Sequence, residues 1–360
     1  MKAAPVIVIF RTGQLGDTLV ALPSLYALRK KYPSHRLVLL TERQPVRAGY
    51  VSSWELLRPT NWFEQVIWYD ARGRGIAKIR MLLGLVAELR RLQVKHFFNL
   101  APDRSNRQRR MDVLFFRLLA GIRAYHPPPP DRRMGTQPNP NTRLLPEWRY
   151  LFDAVGGRQE DLNGFHLPIA QDEREIAGRI AAESGLDLNS PLLAIGPGSK
   201  MAAKRWPLER FAELGERLRQ EFPAVRFVVL GGSEDATAGE HLCGGWGKGS
   251  GSLAGKLSIH GSAAILERCL GYIGNDSGTM HLAGVSGVRS VALFSARDYP
   301  GKWNPYGSGH RVLRRAVPCA GCMLEVCTEH ANRCLTDLTV DEVLAAARDV
   351  LRTSDQGRPI

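Results

Sequence analysis

Short continuous apolar runs alternate with longer amphipathic stretches along most of the chain. Val6-Ile7-Val8-Ile9-Phe10 is β-branched and ends at polar residues, which predicts a buried strand. From about Thr18 to Lys31, Leu19, Leu22, Leu25, Tyr26 and Leu28 recur at helical spacing, and Pro33 follows. That pattern predicts one helix and its stop. Arg36–Leu40 and Gln65–Tyr69 read as the next strands, then Ala77–Leu92 as a helix and Val94–Leu100 as a fourth strand. This β–α–β rhythm predicts a parallel sheet with helices on both faces.

The stretch Tyr125–Pro146 holds four consecutive prolines, Pro127 to Pro130, and excludes a regular helix or central strand. Trp148–Val155 reads as helical again. Gly156–Glu183 leads out of the first domain, with Leu167-Pro168-Ile169 as the connector. A second series then begins. Leu192–Ile195 is a strand followed by Gly196-Pro197-Gly198-Ser199, and Pro207–Phe222 a helix with proline in its first turn. Arg226–Leu230 is a strand ending in Gly231-Gly232-Ser233-Glu234-Asp235. The glycine-rich Cys243–Ser252 reads as a loop, and Ser262–Arg268 as a helix. Cys269–Ile273 and Ser290–Phe294 are strands, Met280–Val285 opens a helix, and Thr339–Leu351 is a terminal helix. Two halves that each start strand, glycine loop, helix predict two doubly wound α/β domains facing across a cleft. Ligands of open sheets bind outside the carboxyl ends of their strands. The expected boundaries are 1–170, 171–340 and a terminal helix and tail at 341–360.

Composition narrows the class. The chain has 360 residues, of which 44% are hydrophobic, as in a globular protein of two ordinary domains. No run approaches the roughly 20 apolar residues that span a bilayer. The amino-terminal apolar run reads as a first strand rather than a signal peptide, which leads us to expect a cytoplasmic protein. The net charge of +14 is uneven: Ala71–Arg143 holds 16 Lys and Arg against 4 Asp and Glu. Such clustering implies an anionic partner, whether phosphorylated glycolipid, membrane headgroups or nucleic acid. Between Arg104 and Arg110 no aromatic residue is interleaved for base stacking, which argues against nucleic acid.

Gly274-Asn275-Asp276-Ser277-Gly278-Thr279-Met280-His281 lies where a strand ends and a helix begins. That position offers backbone N–H groups and the positive end of a helix dipole to an anion such as a diphosphate. Taken alone, it reads equally well as a capped helix with a packed histidine. Cys319, Cys322, Cys327 and Cys334 are spaced C-x2-C-x4-C-x6-C, with Cys243 and Cys269 apart. The spacing fits no standard ligand pattern. A metal clip, buried thiols and labile disulfides all stay open, with no catalytic role.

Five blocks occur in order. They are Arg11-Thr12-Gly13-Gln14-Leu15-Gly16-Asp17 with Pro23, and Gly196-Pro197-Gly198-Ser199 with Lys204-Arg205-Trp206-Pro207. Leu230-Gly231-Gly232-Ser233-Glu234 and Asn275–Ala283 follow, then Leu293-Phe294-Ser295 with Trp303-Asn304-Pro305-Tyr306-Gly307. By these blocks the sequence resembles the heptosyltransferase-like glycosyltransferases of family nine. The resemblance implies a GT-B fold, a nucleotide-sugar donor in the second domain and an acceptor held mainly by the first. It implies Asp17 as general base of an inverting transfer, although an aspartate there is also a good helix cap. It implies Lys204 at the donor phosphates, where a surface lysine before a helix is the alternative. Gly198, Ser199, Asp276, Ser277, Gly278 and His281 are the further expected donor contacts. Glu234 is expected at the nucleotide ribose, with an exposed turn acid as its alternative. Gly13, Gly16, Arg104 and Arg107 are expected on the acceptor side. No Asp-x-Asp pair calls for a divalent metal, and no cofactor is expected. The expected partners are a nucleotide-sugar donor such as ADP-heptose and an anionic glycolipid or glycan such as a lipopolysaccharide core. A peripheral contact with the inner-membrane surface goes with such an acceptor. A nucleotide-sugar epimerase or hydrolase of the same plan, acting without an acceptor, and a catalytically silent binding protein are the alternatives.

Overall fold

The computed structural model of the protein describes residues 4–43, 51–70, 72, 74–102, 105–128 and 142–354. The chain divides into two compact units. Met1–Pro138 with Glu147–Phe165 forms one, and Asn139–Pro146 with His166–Ile360 the other.

The first unit is built on β1 (Val6–Phe10), β2 (Arg36–Glu42), β3 (Gln65–Tyr69), β4 (His96–Asn99) and β5 (Ala124–His126). They form one sheet in the order β3-β2-β1-β4-β5, every pair parallel. Val6, Val8 and Phe10 turn to one face with Val38, Leu40, Ile67 and Phe97, against Leu85, Leu89, Phe116 and Ala120 from helices. The alternate residues Ile7, Ile9, Leu37 and Leu39 are also fully buried, so both faces of the sheet are covered.

The second unit repeats the plan with β6 (Leu192–Gly196), β7 (Arg226–Val229), β8 (Gly251–Ser252), β9 (Cys269–Asn275), β10 (Ser290–Phe294) and β11 (Arg311–Arg314). The order is β11-β10-β9-β6-β7-β8, again all parallel. The terminal helix Val340–Ser354 belongs to this unit, where Val343, Leu344, Ala347 and Val350 enter its core. In both sheets the strand order reverses beside the first strand of the unit. That is where a doubly wound sheet leaves room for a ligand. The glycine loops after β1, β6 and β9 leave from these points.

Three of the expected elements have different limits in the structure, and the helices Asn106–Val113 and Gln171–Glu183 and the strand Arg311–Arg314 add to those expected. The expected single helix over 18–31 is two helices, Leu15–Leu19 and Leu22–Lys31. Asp17 accepts the Gln14 N–H at 2.8 Å and starts the first helix earlier. Pro23, which has no N–H to continue a helix, opens the second. The expected loop over Cys243–Ser252 is mostly ordered. The helix Ala236–Trp246 runs through Gly244 and Gly245 because Leu242 and Trp246 anchor it in the core. It stops at Gly247, whose φ of 81° favours glycine. The expected helix over 262–268 lies earlier, at Ile259–Leu266, because Ser258 Oγ accepts the Gly261 N–H at 2.8 Å and caps it there. Residues 129–141 of the proline-rich stretch lie outside the described residues.

Two glycines are set by one tyrosine. Gly196 and Gly274 are partners across β6 and β9. A Cβ at Gly196 would stand 1.9 Å from the Tyr272 hydroxyl, and one at Gly274 would stand 2.3 Å from it. Tyr272 is fully buried and cannot swing away. Gly196→Ala is therefore expected to destabilise the chain by about 1–3 kcal/mol in urea unfolding, with part of the loss recovered in Gly196→Ala/Tyr272→Phe. An unchanged midpoint in Gly196→Ala would show that the strands close without this contact.

Candidate functional site

In the second unit, three segments meet at the carboxyl ends of β6 and β9. Asn275, fully buried at the end of β9, joins them. Its Nδ2 donates to the Pro197 carbonyl at 2.6 Å, and its Oδ1 accepts the Trp206 N–H at 3.0 Å. The glycine loop after β6 and the segment carrying Lys204 are thereby fixed to the strand that ends in Asp276. Arg205 Nε donates to the Ser199 carbonyl at 2.7 Å and closes the same loop. From behind, Ala203 N–H bonds the Glu325 carbonyl at 2.9 Å, and Asn332 Nδ2 bonds the Arg205 carbonyl at 3.2 Å.

Lys204 Nζ lies 2.7 Å from Asp276 Oδ2, with the two side chains 13% and 6% exposed. The lysine charge is thus held at the start of the helix Gly278–Val285. Ser277 precedes that helix in extended conformation without a side-chain cap bond. A cation beside the N–H groups of a first turn is an arrangement that attracts an anion. Asp276, expected among the diphosphate contacts, gives its carboxylate to Lys204, so it orients the cation. His281 lies one turn in and is buried. Burial lowers its imidazole to about 4, with Asp276 raising it and Lys204 lowering it further. It is a neutral ring, able to donate one N–H but carrying no charge toward a phosphate. Its ring meets Trp303 edge-on at 6.2 Å, and Trp303 Nε1 donates to Asp298 Oδ2 at 2.8 Å.

Gly198 and Ser199 lie in the loop that Asn275 secures, and Ser199 is buried. Of the acids after β7, Glu234 is exposed, and it is Asp235 that turns inward. Asp235 Oδ2 accepts the Gly232 N–H at 3.0 Å, and a Cβ at Gly198 would stand 2.0 Å from its carboxylate. Burial pushes the Asp235 carboxyl upward. Neither Asp235 nor Asn275 is among the contacts expected from the sequence. The only signal for either was its place beside an expected contact.

In the first unit, Gly13 has φ of 114°, and a Cβ there would stand 2.7 Å from Asp17 Oδ2. Glycine at 13 is thus required both by backbone conformation and by the approach of Asp17. Gly16 lies inside the short helix, its carbonyl accepting the Val20 N–H at 3.1 Å. Arg11, 1% exposed, donates to the Leu100 and Asp17 carbonyls and fixes the backbone beneath Asp17. Thr18 Oγ1 bonds Ser53 Oγ at 2.7 Å on the next residue. Asp17 is half-exposed and caps its own helix through Gln14. A carboxylate has room for further acceptor bonds beyond that one. Arg107 is exposed in the first turn of the helix Asn106–Val113, which Ser105 and Gln108 cap reciprocally. Arg104 lies outside the described residues.

All six cysteines are free thiols. Cys319, Cys322, Cys327 and Cys334 line one small cavity with Ala203 and Arg297. Among the described residues, no group of three or more His, Cys, Asp or Glu side chains is arranged to hold a metal ion. Burial pushes the Cys334 thiol up, and Cys243 up to about 11, which keeps both protonated.

Two doubly wound units with glycine loops at their switch points define a two-domain, Rossmann-like α/β protein of the GT-B class. The overall likeness to solved structures agrees. A family nine glycosyltransferase from Veillonella parvula superposes with a TM-score of 0.71 at 21% identity, covering 98% of this chain and 99% of that one. The E. coli ADP-heptose lipopolysaccharide heptosyltransferase II superposes with 0.64 at 18% identity, covering 97% and 99%. Residues 131–332 match the model of glycosyltransferase family 9 (heptosyltransferase), more than half of the chain, and the chain belongs to that family. In sequence it is similar to lipopolysaccharide heptosyltransferase 1 of Pseudomonas aeruginosa, 28% identical over 165 residues, 45% of each chain. The chain spans about half the length of the curated relatives it matches.

The neutral His281 has a consequence for stability. The folded chain keeps the ring unprotonated down to about 4, whereas the unfolded chain protonates it below about 6.5. Its contribution is therefore full above pH 6.5 and declines as pH falls toward 4, by roughly 2 kcal/mol at pH 5. Urea unfolding at pH 7 and pH 5 checks this: the wild type is expected to lose more stability than His281→Gln. Equal losses would contradict a buried neutral imidazole.

Proposed function

We propose that the protein is an inverting glycosyltransferase that moves heptose from ADP-heptose to an anionic glycolipid of the lipopolysaccharide-core type. The observation that carries this reading is the Lys204–Asp276 pair at the start of the helix Gly278–Val285. Family membership supplies the reaction class, and the basic first unit suits an acceptor bearing phosphates or acidic sugars.

In this reading the acceptor oxygen attacks the anomeric carbon from the side opposite the diphosphate. The Asp17 carboxylate takes the hydroxyl proton as the new C–O bond forms. The bond from the anomeric carbon to the diphosphate breaks, and ADP leaves with the added charge. Lys204 and the first-turn N–H groups after Ser277 stabilise that charge, so the reaction needs no divalent ion. Asp276 keeps Lys204 in place. Asp235, whose carboxylate lies against Gly198 of the loop after β6, takes the ribose-facing position expected of Glu234. The acceptor binds to the first unit near Gly13, Gly16 and the Arg104–Arg107 cluster. A glycolipid acceptor also implies work at the inner face of the cytoplasmic membrane.

The decisive variants separate chemistry from binding. Asp17→Asn is expected to lower kcat by about 10²–10⁴ while ADP affinity stays within a few fold. Lys204→Met is expected to lower kcat by about 10²–10³ and also to weaken ADP binding. Turnover of ADP-heptose with lipopolysaccharide-core acceptor, beside nucleotide titration, checks both. Unchanged turnover in Asp17→Asn would remove Asp17 as the base.

A further inference from the structure

Seventeen residues form the helix Gly75–Arg91, yet it buries only Leu85 and Leu89. Ile76, Ile79 and Leu83 are 71%, 58% and 64% exposed. Their spacing of three and four residues puts them on one stripe. Ile76 and Leu85 are nine residues apart, about half a turn out of phase at roughly 100° per residue. The helix therefore carries two apolar faces, one against the sheet and one toward solvent.

A second helix repeats the feature. Asn106–Val113 runs on into Leu114–Leu119, where Met111, Leu114 and Leu118 are 57%, 45% and 68% exposed. Both helices lie on the same face of the first sheet, since Leu85, Leu89, Phe116 and Ala120 share one core cluster. A single exposed leucine is ordinary, but large apolar side chains repeated along two helices of one layer mark an interaction surface. This surface is also cationic. Lys78 and Arg80 are exposed on the first helix, Arg107 and Arg110 on the second. Arg107 and Arg110 continue the stripe of Leu114 and Leu118 at helical spacing.

We propose that this face docks on an anionic lipid bilayer. The apolar stripes enter the boundary between headgroups and acyl chains, and the flanking cations meet lipid phosphates. Charge selects this occupant over a second copy of the chain, because two such faces brought together would set cation against cation. Among the described residues no helix is long and apolar enough to cross a membrane, so the contact lies along the surface. The inference deepens the proposed glycolipid acceptor, but its test uses neither donor nor acceptor, so the two can fail separately.

The test is sedimentation of the full chain with vesicles of phosphatidylcholine alone and of phosphatidylcholine mixed with phosphatidylglycerol. Binding is expected only to the mixed vesicles and to weaken as salt is raised. Ile79→Asp/Leu83→Asp and, separately, Lys78→Glu/Arg80→Glu are each expected to lower partitioning by about tenfold or more. All four side chains are exposed, and unchanged circular dichroism and melting confirm that each variant is folded. Absence of binding to mixed vesicles, equal binding to both, or unchanged binding of both variants would overturn the proposal. A dimer seen by light scattering that these substitutions dissolve, without vesicle binding, would also overturn it and make the face a self-association surface.

Discussion

The Asn275 side chain is the constraint on which the second unit's site depends. It is fully buried and bonds two backbone groups from two other segments, at Pro197 and Trp206. Loss of its amide would leave a buried carbonyl and a buried N–H without those partners, at a cost of about 1–3 kcal/mol each. More than stability rides on it. Lys204 lies two residues before Trp206, and Asp276 directly follows Asn275. One side chain thus fixes both ends of the Lys204–Asp276 pair.

The electrostatics follow from that geometry. A lysine held by a nearly buried carboxylate is ordered before any ligand arrives, so little side-chain entropy is lost when an anion binds. The neutral His281 adds shape and one possible N–H without adding charge. The first unit shows a parallel economy. Arg11, buried beneath the turn, holds the Asp17 carbonyl, while Gly13 leaves room for the Asp17 carboxylate. In both units a buried polar side chain at a strand end sets the position of an ionised group beside a glycine loop.

Much of this was legible in the sequence. Gln65–Tyr69 and Ser290–Phe294 read as strands with their observed limits, because continuous β-branched and aromatic runs between turn residues have few other uses. The loops at the ends of β6 and β9 were legible for the same reason, as glycine and small polar residues at strand-to-helix junctions. What failed depends on tertiary contacts. Gly244-Gly245 reads as a loop until Trp246 is seen buried against the Ala212 carbonyl. Which of Glu234 and Asp235 turns inward is decided by one turn of backbone. The solvent-facing isoleucines of the helix Gly75–Arg91 have the same periodicity as a core face, so their exposure could not be read from spacing.

The central claim is that the loops tied by Asn275 present Lys204 to a nucleoside diphosphate. Titration calorimetry of ADP, UDP, GDP and CDP against the wild type and Lys204→Met tests it most directly. The account predicts that ADP binds most tightly and that Lys204→Met weakens it markedly. Preference for another nucleotide would contradict the ADP-heptose donor, and equal ADP affinity in Lys204→Met would contradict the site itself.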